Sequence, residues 1–178
     1  MNHIRIELMT EATKDCLQLP NETFQIFGEL VVTKPNDQWE YQEKYFDQTQ
    51  EKTFPEENYS FAKIYQNGFA IAAFDQEICV GLAVFEIHWN KYCYLSDLKV
   101  NQNYRRSGVS TDMLDLGIVV SKEKNCKGLS TIAQSYNLAA NKFYLKYGFE
   151  IGGLNTRDYH FTSERGNSDI YYYLDFEE

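Results

Sequence analysis

The pattern of hydrophobic positions predicts three consecutive β-strands in the middle of the chain. Residues 68–74 are almost wholly apolar, residues 78–88 are rich in Val, Ile and Phe, and residues 92–100 carry well-spaced aliphatic side chains. Polar turns at 75–77 and 89–91 separate these runs. Short strands joined by short turns are typical of an antiparallel meander.

The pattern changes to a helical period after the meander. Gly108 opens a helix whose N-cap chemistry we expect from the polar residues 110–112. A short strand is predicted over 128–133. A second helix is predicted over 137–147, and Gly148 stops it.

The two ends of the chain are less regular. Residues 3–8 favour a strand and residues 11–17 a short helix, whereas residues 21–33 are apolar without a clear period. Two late strands are predicted over 151–160 and 170–176. The order strands, helix, strand, helix, strands predicts an α+β fold with a mixed sheet flanked by helices.

Length and charge refine this picture. With 178 residues the chain is most simply one domain, residues 1–178, and it buries roughly 70% of its unfolded surface. It carries 17 Lys and Arg against 26 Asp and Glu, a net charge of -9. This balance argues against sequence-independent nucleic-acid binding and suits a cationic partner.

Cysteine usage and apolar runs favour a cytoplasmic location and argue against a zinc site. The four cysteines lack the paired spacing of zinc sites, and there are only three histidines. The chain begins without a signal-peptide pattern, and its apolar runs are too short to span a bilayer. We therefore expect a cytoplasmic protein with reduced thiols, no metal and no membrane partner, and we leave a homodimer open.

The segment 37–58 is acidic and aromatic. It holds seven acids, two lysines and five aromatic residues, a local charge of -5. One interpretation is a solvated helix or loop anchored by its rings. The other is a lid on the acceptor side of a site, where rings and carboxylates together attract a cation.

A first motif with chemical content is the sequence RRSGVS at residues 105–110, between a predicted strand and a predicted helix. Backbone N–H groups at a helix N-terminus attract anions, and Gly108 allows the backbone to approach a phosphate closely. Arg105 and Arg106 add positive charge. Taken alone, the motif fits an exposed turn equally well.

A second motif, later in the chain, supports a functional interpretation of the first. Residues 137–144 read NLAANKFY and are followed by Gly148 and Phe149. Together the motifs resemble the GNAT superfamily of acyl-coenzyme-A-dependent N-acyltransferases. That superfamily carries Arg or Gln, then Gly, then Gly or Ala at the spacing of Arg105, Gly108 and Ser110, and later an N-x-x-A-x-x-F-Y helix. Ser110 departs from this pattern but is still small.

A closer resemblance, to the streptothricin acetyltransferases, extends through most of the chain. It rests on residues 21–28, 36–39, 51–55 and 89–92, and on Asp97 and Gln134. The chain departs from that family at three positions where the family has acids, namely Ser96, Ile132 and Ser135. Members acetylate an amine in the β-lysine part of streptothricin, a cationic antibiotic.

The resemblance implies a site for acetyl coenzyme A. The strand 92–100 would splay from the strand 128–133, so that the pantetheine arm fills the gap and pairs with exposed backbone groups. The diphosphate would rest on the amides that open the first helix. The residues expected to bind the coenzyme are Leu98, Val100, Arg105, Arg106, Ser107, Gly108, Val109, Ser110, Thr111, Asn137 and Lys142.

The resemblance also implies the catalytic groups. Tyr144 matches the position of an acid that protonates the leaving thiolate; without the motif it would be taken as a core ring. Asp97 is the candidate base, with substrate orientation or support of a turn as its alternative role. Glu86 is a weaker candidate, and a chain of water molecules ending at either carboxylate is a further option.

The expected function is therefore acetyl-coenzyme-A-dependent N-acetylation of a primary amine on a small cationic acceptor, with streptothricin, and hence antibiotic resistance, as the leading case. Two alternatives stay open at this point. The acceptor is a polyamine, a protein or a peptide amine, or the chain binds coenzyme A without turnover.

Overall fold

The computed structural model describes residues 4–177, which pack as two compact units. The first unit contains the residues through Glu22, residues 54–129 and the residues from Asp175 onward. The second contains residues 23–53 and 130–174. His3, the first residue of a predicted strand, lies outside the described residues.

The elements follow one another in the order that the sequence suggests, with two additional strands and a short additional α-helix before the meander. The strands are β1 (Ile4–Leu8), β2 (Phe24–Thr33), β3 (Glu40–Lys52), β4 (Gly68–Asp75), β5 (Ile78–Ile87), β6 (Tyr92–Val100), β7 (Gly128–Gln134), β8 (Glu150–Asn155) and β9 (Asp169–Asp175). The α-helices are α1 (Phe61–Ile64), α2 (Val109–Glu123) and α3 (Leu138–Tyr147). Short 3-10 helices cover Glu11–Gln18, Pro35–Asp37 and Gln102–Tyr104.

The first unit is built on an antiparallel arrangement of four strands in the order β1-β4-β5-β6. The predicted meander of β4, β5 and β6 is confirmed. Strand β4 is buried along its whole length, and Phe69 stacks on Phe85 of β5 with ring centroids 4.7 Å apart. Helix α2 covers one face of these strands and contacts all four of them.

A β-bulge interrupts β6 at Ser96. Phe85 of β5 pairs with Leu95, but the preceding residue Val84 pairs with Asp97, so Ser96 is the extra residue. An extra residue reverses the alternation of side chains along a strand. Beyond the bulge, Asp97 therefore points to the face opposite to Leu95.

The second unit contains the antiparallel pair β2–β3, and β7, β9 and β8 in that order. Helix α3 contacts β2. The expectation that residues 21–33 are irregular is wrong, as is the expectation of a helix or loop over 37–58. The two segments pair with each other as the consecutive antiparallel strands β2 and β3, and such pairing overrides a weak local pattern.

Two element ends also differ from the prediction. Helix α2 begins with Gly108 as its N-cap, at φ 93°, so the polar residues 110–112 lie inside its first turn. Strand β8 ends at Asn155 and does not continue to 160. The Asn155 side chain accepts hydrogen bonds from the N–H groups of Arg157 and Asp158, which turns the chain.

Candidate functional site

The loop between β6 and α2 is the first candidate site. Arg105 Nε donates to the Val100 carbonyl at 3.0 Å, and the Ser107 hydroxyl donates to the Tyr104 carbonyl. Arg106 adopts the left-handed region at φ 60°. These contacts fold the loop tightly before Gly108, where the helix starts.

The N-terminus of α2 has exposed N–H groups to offer. No side chain among the described residues caps this helix. The N–H groups of Val109, Ser110 and Thr111 have no acceptor within the helix, because the first turn of any α-helix lacks them. They carry partial positive charge, and a Cβ at Gly108 would meet nothing within 4 Å. The geometry suits an anion that approaches the backbone closely.

The strand leading to this loop presents two faces. Val100 is buried, Leu98 is half-buried, and both lie on the face of Leu95, which is the face that α2 covers. Their side chains belong to the packing. Only their backbone groups can take the ligand role that the sequence predicts for them.

Asp97 lies on the other face, within a cluster of polar side chains. Tyr59 donates a hydrogen bond from its hydroxyl to Asp97 Oδ2 at 2.8 Å, and Lys99 Nζ lies 3.5 Å from the same oxygen. The Asp97 side chain is 15% exposed. Burial raises the pKa of this carboxyl above its ordinary value, against the opposing influence of Lys99 and Tyr59. The group is suited to hold a proton more readily than a surface aspartate.

A second carboxylate completes the cluster. Lys99 Nζ donates to Glu57 Oε2 and to Asn21 Oδ1, each at 3.0 Å. Although burial alone would raise the pKa of Glu57, hydrogen bonds from Asn21 and Lys99 outweigh it and hold that pKa below the ordinary value. Burial and the nearby Asp97 charge raise the pKa of Tyr59, which therefore remains a donor.

In the second unit, Tyr144 lies on α3 among other aromatic rings. It is buried, at 8% exposure, and its ring centroid lies 5.4 Å from that of Phe149 and 5.6 Å from that of Tyr172. Asn141, one turn earlier on the helix, is fully buried and accepts a hydrogen bond from the Tyr172 hydroxyl. The ring of Tyr144 is thus fixed by packing.

The two remaining predicted coenzyme ligands have partners within the second unit. Asn137 accepts a hydrogen bond from the Ala140 N–H at 3.2 Å and so caps α3. Lys142 is exposed, and its Nζ lies 3.0 Å from Glu43 Oε2 and 3.1 Å from the Tyr45 hydroxyl. The hydrogen bonds from Tyr45 and Lys142 lower the pKa of Glu43.

Several members of the Asp97 cluster were not predicted from the sequence as site residues, namely Asn21, Glu57, Tyr59 and Lys99. Asn21 opens one of the segments that resemble the streptothricin acetyltransferases, and Glu57 belongs to the acidic segment. These two features of the sequence were the signals available for Asn21 and Glu57. Nothing in the local pattern marks Tyr59, because it reaches Asp97 through the tertiary fold. Lys99 lies two residues beyond Asp97 on β6, where the alternation of a strand places both side chains on one face.

The three positions that depart from the streptothricin acetyltransferases have structural roles or surroundings of their own. Ser96 is the bulge residue, and its hydroxyl donates to the Val84 carbonyl at 3.2 Å. Ser135 is buried, and its hydroxyl accepts a hydrogen bond from the Ser168 N–H. Ile132 is half-buried in β7.

Within residues 4–177 the structure brings together no group of three or more His, Cys, Asp and Glu side chains that could hold a metal ion. The four cysteines are free thiols, and three of them are buried. No helix in the described part of the chain has the length and apolar character needed to cross a membrane.

Comparison with known proteins defines the class. The sequence profile of the acetyltransferase (GNAT) family matches residues 33–149, so the chain belongs to that family and is an acyltransferase. The predicted α+β class with a mixed sheet flanked by helices is thereby confirmed, since solved structures with this fold cover nearly the whole chain.

The chain is similar to individual members of the family over almost its full length. It is 29% identical over 169 residues to streptothricin acetyltransferase A of Bacillus subtilis (strain 168), covering 94% of this chain and 98% of that protein. A crystal structure of a protein assigned as a streptothricin acetyltransferase from Bacillus anthracis str. Ames, in complex with acetyl coenzyme A, matches with a TM-score of 0.85 at 27% identity, covering 98% of this chain and 99% of that one. Nourseothricin acetyltransferase shares the fold, with a TM-score of 0.80 at 20% identity over 97% of this chain and 98% of that one.

Proposed function

We propose that this acetyltransferase moves the acetyl group of acetyl coenzyme A to a primary amine of a small cationic acceptor, with streptothricin as the leading candidate. The observation that carries the proposal is the similarity, over nearly the whole chain, to streptothricin acetyltransferase A. Acetylation removes the positive charge of the amine, so the physiological consequence would be antibiotic resistance. The free thiols favour a reaction in the cytoplasm.

The loop before α2 fits the diphosphate of acetyl coenzyme A. Its helix N-terminus is uncapped among the described residues, and the space next to Gly108 is open. Arg105 and Arg106 bring positive charge to an acidic chain. The N–H groups of Val109, Ser110 and Thr111 would hold the phosphate oxygens. When bound, the coenzyme supplies a thioester, which is an activated acyl donor.

Tyr144 supplies a proton to the departing thiolate in this proposal. A tyrosine hydroxyl has a pKa of ~10 and a thiol a pKa of ~8.5, so the hydroxyl donates only when it is held in place. The aromatic packing of Tyr144 supports such a role, since the ring contacts Phe149 and Tyr172. The backbone of Leu98 and Val100 binds the pantetheine arm, and Asn137 and Lys142 support the coenzyme from α3.

Asp97 accepts the proton that the acceptor amine must lose before it attacks. Free lysine-type amines have a pKa near ~10.4, so the amine arrives charged. The raised pKa of Asp97 brings its basicity closer to that of the amine than an exposed aspartate would be.

The charge of the protein supports a cationic acceptor. The net charge is -9, and Asp97 and Glu57 lie together in the first unit beside a single lysine. Negative potential raises the local concentration of cationic substrates and their rate of association. The segment 37–58, which includes the whole of β3, is proposed as a lid on the acceptor side.

The proposal is tested by the release of free coenzyme A thiol from acetyl coenzyme A in the presence of different amines. The panel contains streptothricin, polyamines, aminoglycosides and peptides ending in lysine. Release with streptothricin well above all other amines is expected. Release with another amine alone would reassign the acceptor. Binding of coenzyme A without release with any of these amines would favour a non-catalytic module.

A further inference from the structure

The two oxygens of Asp97 have different surroundings. Oδ2 receives the hydrogen bond of Tyr59 at 2.8 Å and faces Lys99 Nζ at 3.5 Å. Within residues 4–177 no group donates a hydrogen bond to Oδ1. A carboxylate has room for about four hydrogen bonds, two on each oxygen. One oxygen is therefore held in place, while the other keeps its capacity to accept a proton.

The side chain of Lys99 is also held in place by hydrogen bonds. Its ammonium has three N–H donors. Two of them bond Glu57 and Asn21 at 3.0 Å, and Asp97 Oδ2 lies 3.5 Å from the same nitrogen. Asn21 is itself tied down, because its Nδ2 donates to the Pro55 carbonyl at 2.8 Å. The charge of Lys99 thus has a defined distance from Asp97.

Burial strengthens the electrostatic effect of the Lys99 charge on Asp97. The side chains of Lys99 and Asp97 are 13% and 15% exposed, so water screens their attraction less than it does at the surface. A buried carboxylate without a partner would shift toward its neutral form. Lys99 opposes that shift, whereas Glu57 promotes it.

We propose that Lys99 and Tyr59 are positioning residues for Asp97: Tyr59 fixes Oδ2, Lys99 stabilises the ionised carboxylate, and Oδ1 is left to take the proton of the acceptor amine. This assignment rests on the proposed function, in which Asp97 is the base. Neither residue touches the reacting atoms in this assignment. Glu57 holds Lys99 in place. Its own negative charge also opposes the stabilising effect of Lys99 on ionised Asp97.

The charged and titratable groups around Asp97 determine how each substitution should change its ionisation. Lys99 comes from β6 itself, and Glu57 and Tyr59 come from the segment before α1. Glu86 of β5 acts on Tyr59. Loss of Lys99 or of the Tyr59 hydroxyl removes an interaction that favours ionised Asp97, whereas loss of the Glu57 charge removes one that disfavours it.

Two readouts on the full chain test the proposal. The first is a carbon-13 NMR titration of the aspartate carboxyls, with Asp97 assigned by the loss of its signal in Asp97→Asn. The second is the acid limb of the pH profile of kcat/KM for acetyl transfer. The variants are Lys99→Met, Lys99→Arg, Tyr59→Phe and Glu57→Gln. Lys63→Met, at an exposed lysine in the same unit, is the matched control.

The variants are expected to move the titration in opposite directions. In Lys99→Met the Asp97 titration and the acid limb both move to higher pH, by about one unit, as expected for loss of one nearby opposite charge. Tyr59→Phe moves both the same way, and Glu57→Gln moves both to lower pH. Lys99→Arg keeps the charge and stays close to the wild type, as does the control.

Two results would overturn the assignment. One is an Asp97 titration that stays in place in Lys99→Met although the variant is folded. The other is a titration that moves while the acid limb stays, which would show that Asp97 is not the base although acetyl transfer stands. Absence of turnover in the wild type would instead remove the proposed function, and with it the proton-accepting role of Oδ1.

Discussion

The Tyr172 hydroxyl donates a hydrogen bond of 2.6 Å to Asn141 Oδ1, and both side chains are fully buried. Asn141 also donates from its Nδ2 to the carbonyls of Gln134 and Asn137, each at 2.9 Å. One amide therefore links β9, the end of β7 and the start of α3. This link lies one helical turn before Tyr144.

Replacing Asn141 by alanine should reduce the free energy of unfolding by about 2–3 kcal/mol, because it leaves the buried Tyr172 hydroxyl without its acceptor and removes one of the two hydrogen bonds of each carbonyl, which keeps its backbone N–H donor. Tyr172→Phe should cost about 1 kcal/mol, since it leaves only the Asn141 oxygen unsatisfied. Urea denaturation of both variants and of the double variant measures the coupling between the residues. Simple additivity of the two effects would show that the hydrogen bond contributes nothing.

Tyr144→Phe should lower turnover by about 100-fold or more, the usual contribution of a general acid, with binding of coenzyme A unchanged. The ring and its packing against Phe149 and Tyr172 are kept, so the variant should fold. Steady-state kinetics and calorimetric titration with coenzyme A provide the two measurements. Turnover at the level of the wild type would remove Tyr144 from the mechanism.

Gly108→Ala should weaken coenzyme binding, because alanine at φ 93° is strained and puts a methyl group where the phosphate is expected. The strain alone should cost about 1–2 kcal/mol of stability. Ser110→Ala, a small residue in the ordinary helical conformation, is the matched control and should bind almost as the wild type does. Equal affinity of the Gly108 variant and the control would contradict the assignment of the loop.

Gly117→Ala tests the packing of α2 on β5. A Cβ at this position would lie 2.5 Å from Phe85 Cζ, and the Phe85 ring is already stacked on Phe69. Overpacking of this kind should destabilise the protein by about 1–3 kcal/mol. Thermal unfolding of the variant measures the loss, and an unchanged midpoint would show that the Phe85 ring moves freely.

The two carboxylates of the Asp97 cluster should give opposite pH dependences of stability. Because the pKa of Asp97 is raised in the folded state, its contribution is fully present below the ordinary aspartate pKa and is lost as the pH rises through the raised value. Asp97→Asn should therefore gain stability relative to the wild type as the pH rises. The pKa of Glu57 is lowered, so its contribution is present above the ordinary glutamate pKa and lost as the pH falls through the lowered value.

Glu57→Gln should consequently lose stability relative to the wild type as the pH rises. Urea denaturation of both variants and of the wild type at several pH values between about 2.5 and 8 checks both signs, because this range extends below and above the ordinary carboxyl pKa values. Parallel trends for the two variants would contradict the different environments assigned to these carboxylates.

The sequence allows the prediction of elements that depend on local pattern. Strands β4, β5 and β6 are recognisable because apolar runs and polar turns alternate there, and Gly148 ends α3 as predicted, at φ 118°. Strands β2 and β3 are not recognisable, because β2 lacks a clear hydrophobic period and β3 is exposed almost throughout.

The same distinction applies to the candidate site. Gly108 and Tyr144 belong to short motifs with a fixed spacing, so they can be identified from the sequence. The partners of Asp97 come from three separate segments, and the bulge at Ser96 decides which face of β6 they meet. No local pattern reports a bulge or a contact between Tyr59 and Asp97.

Mass spectrometry of streptothricin, after incubation with the wild-type protein and acetyl coenzyme A, shows directly whether this antibiotic is the acceptor. We expect one added acetyl group on an amine of the β-lysine part, formed only when protein and acetyl coenzyme A are both present. Unmodified streptothricin, under conditions where coenzyme A binding is measurable, would contradict the proposed acceptor.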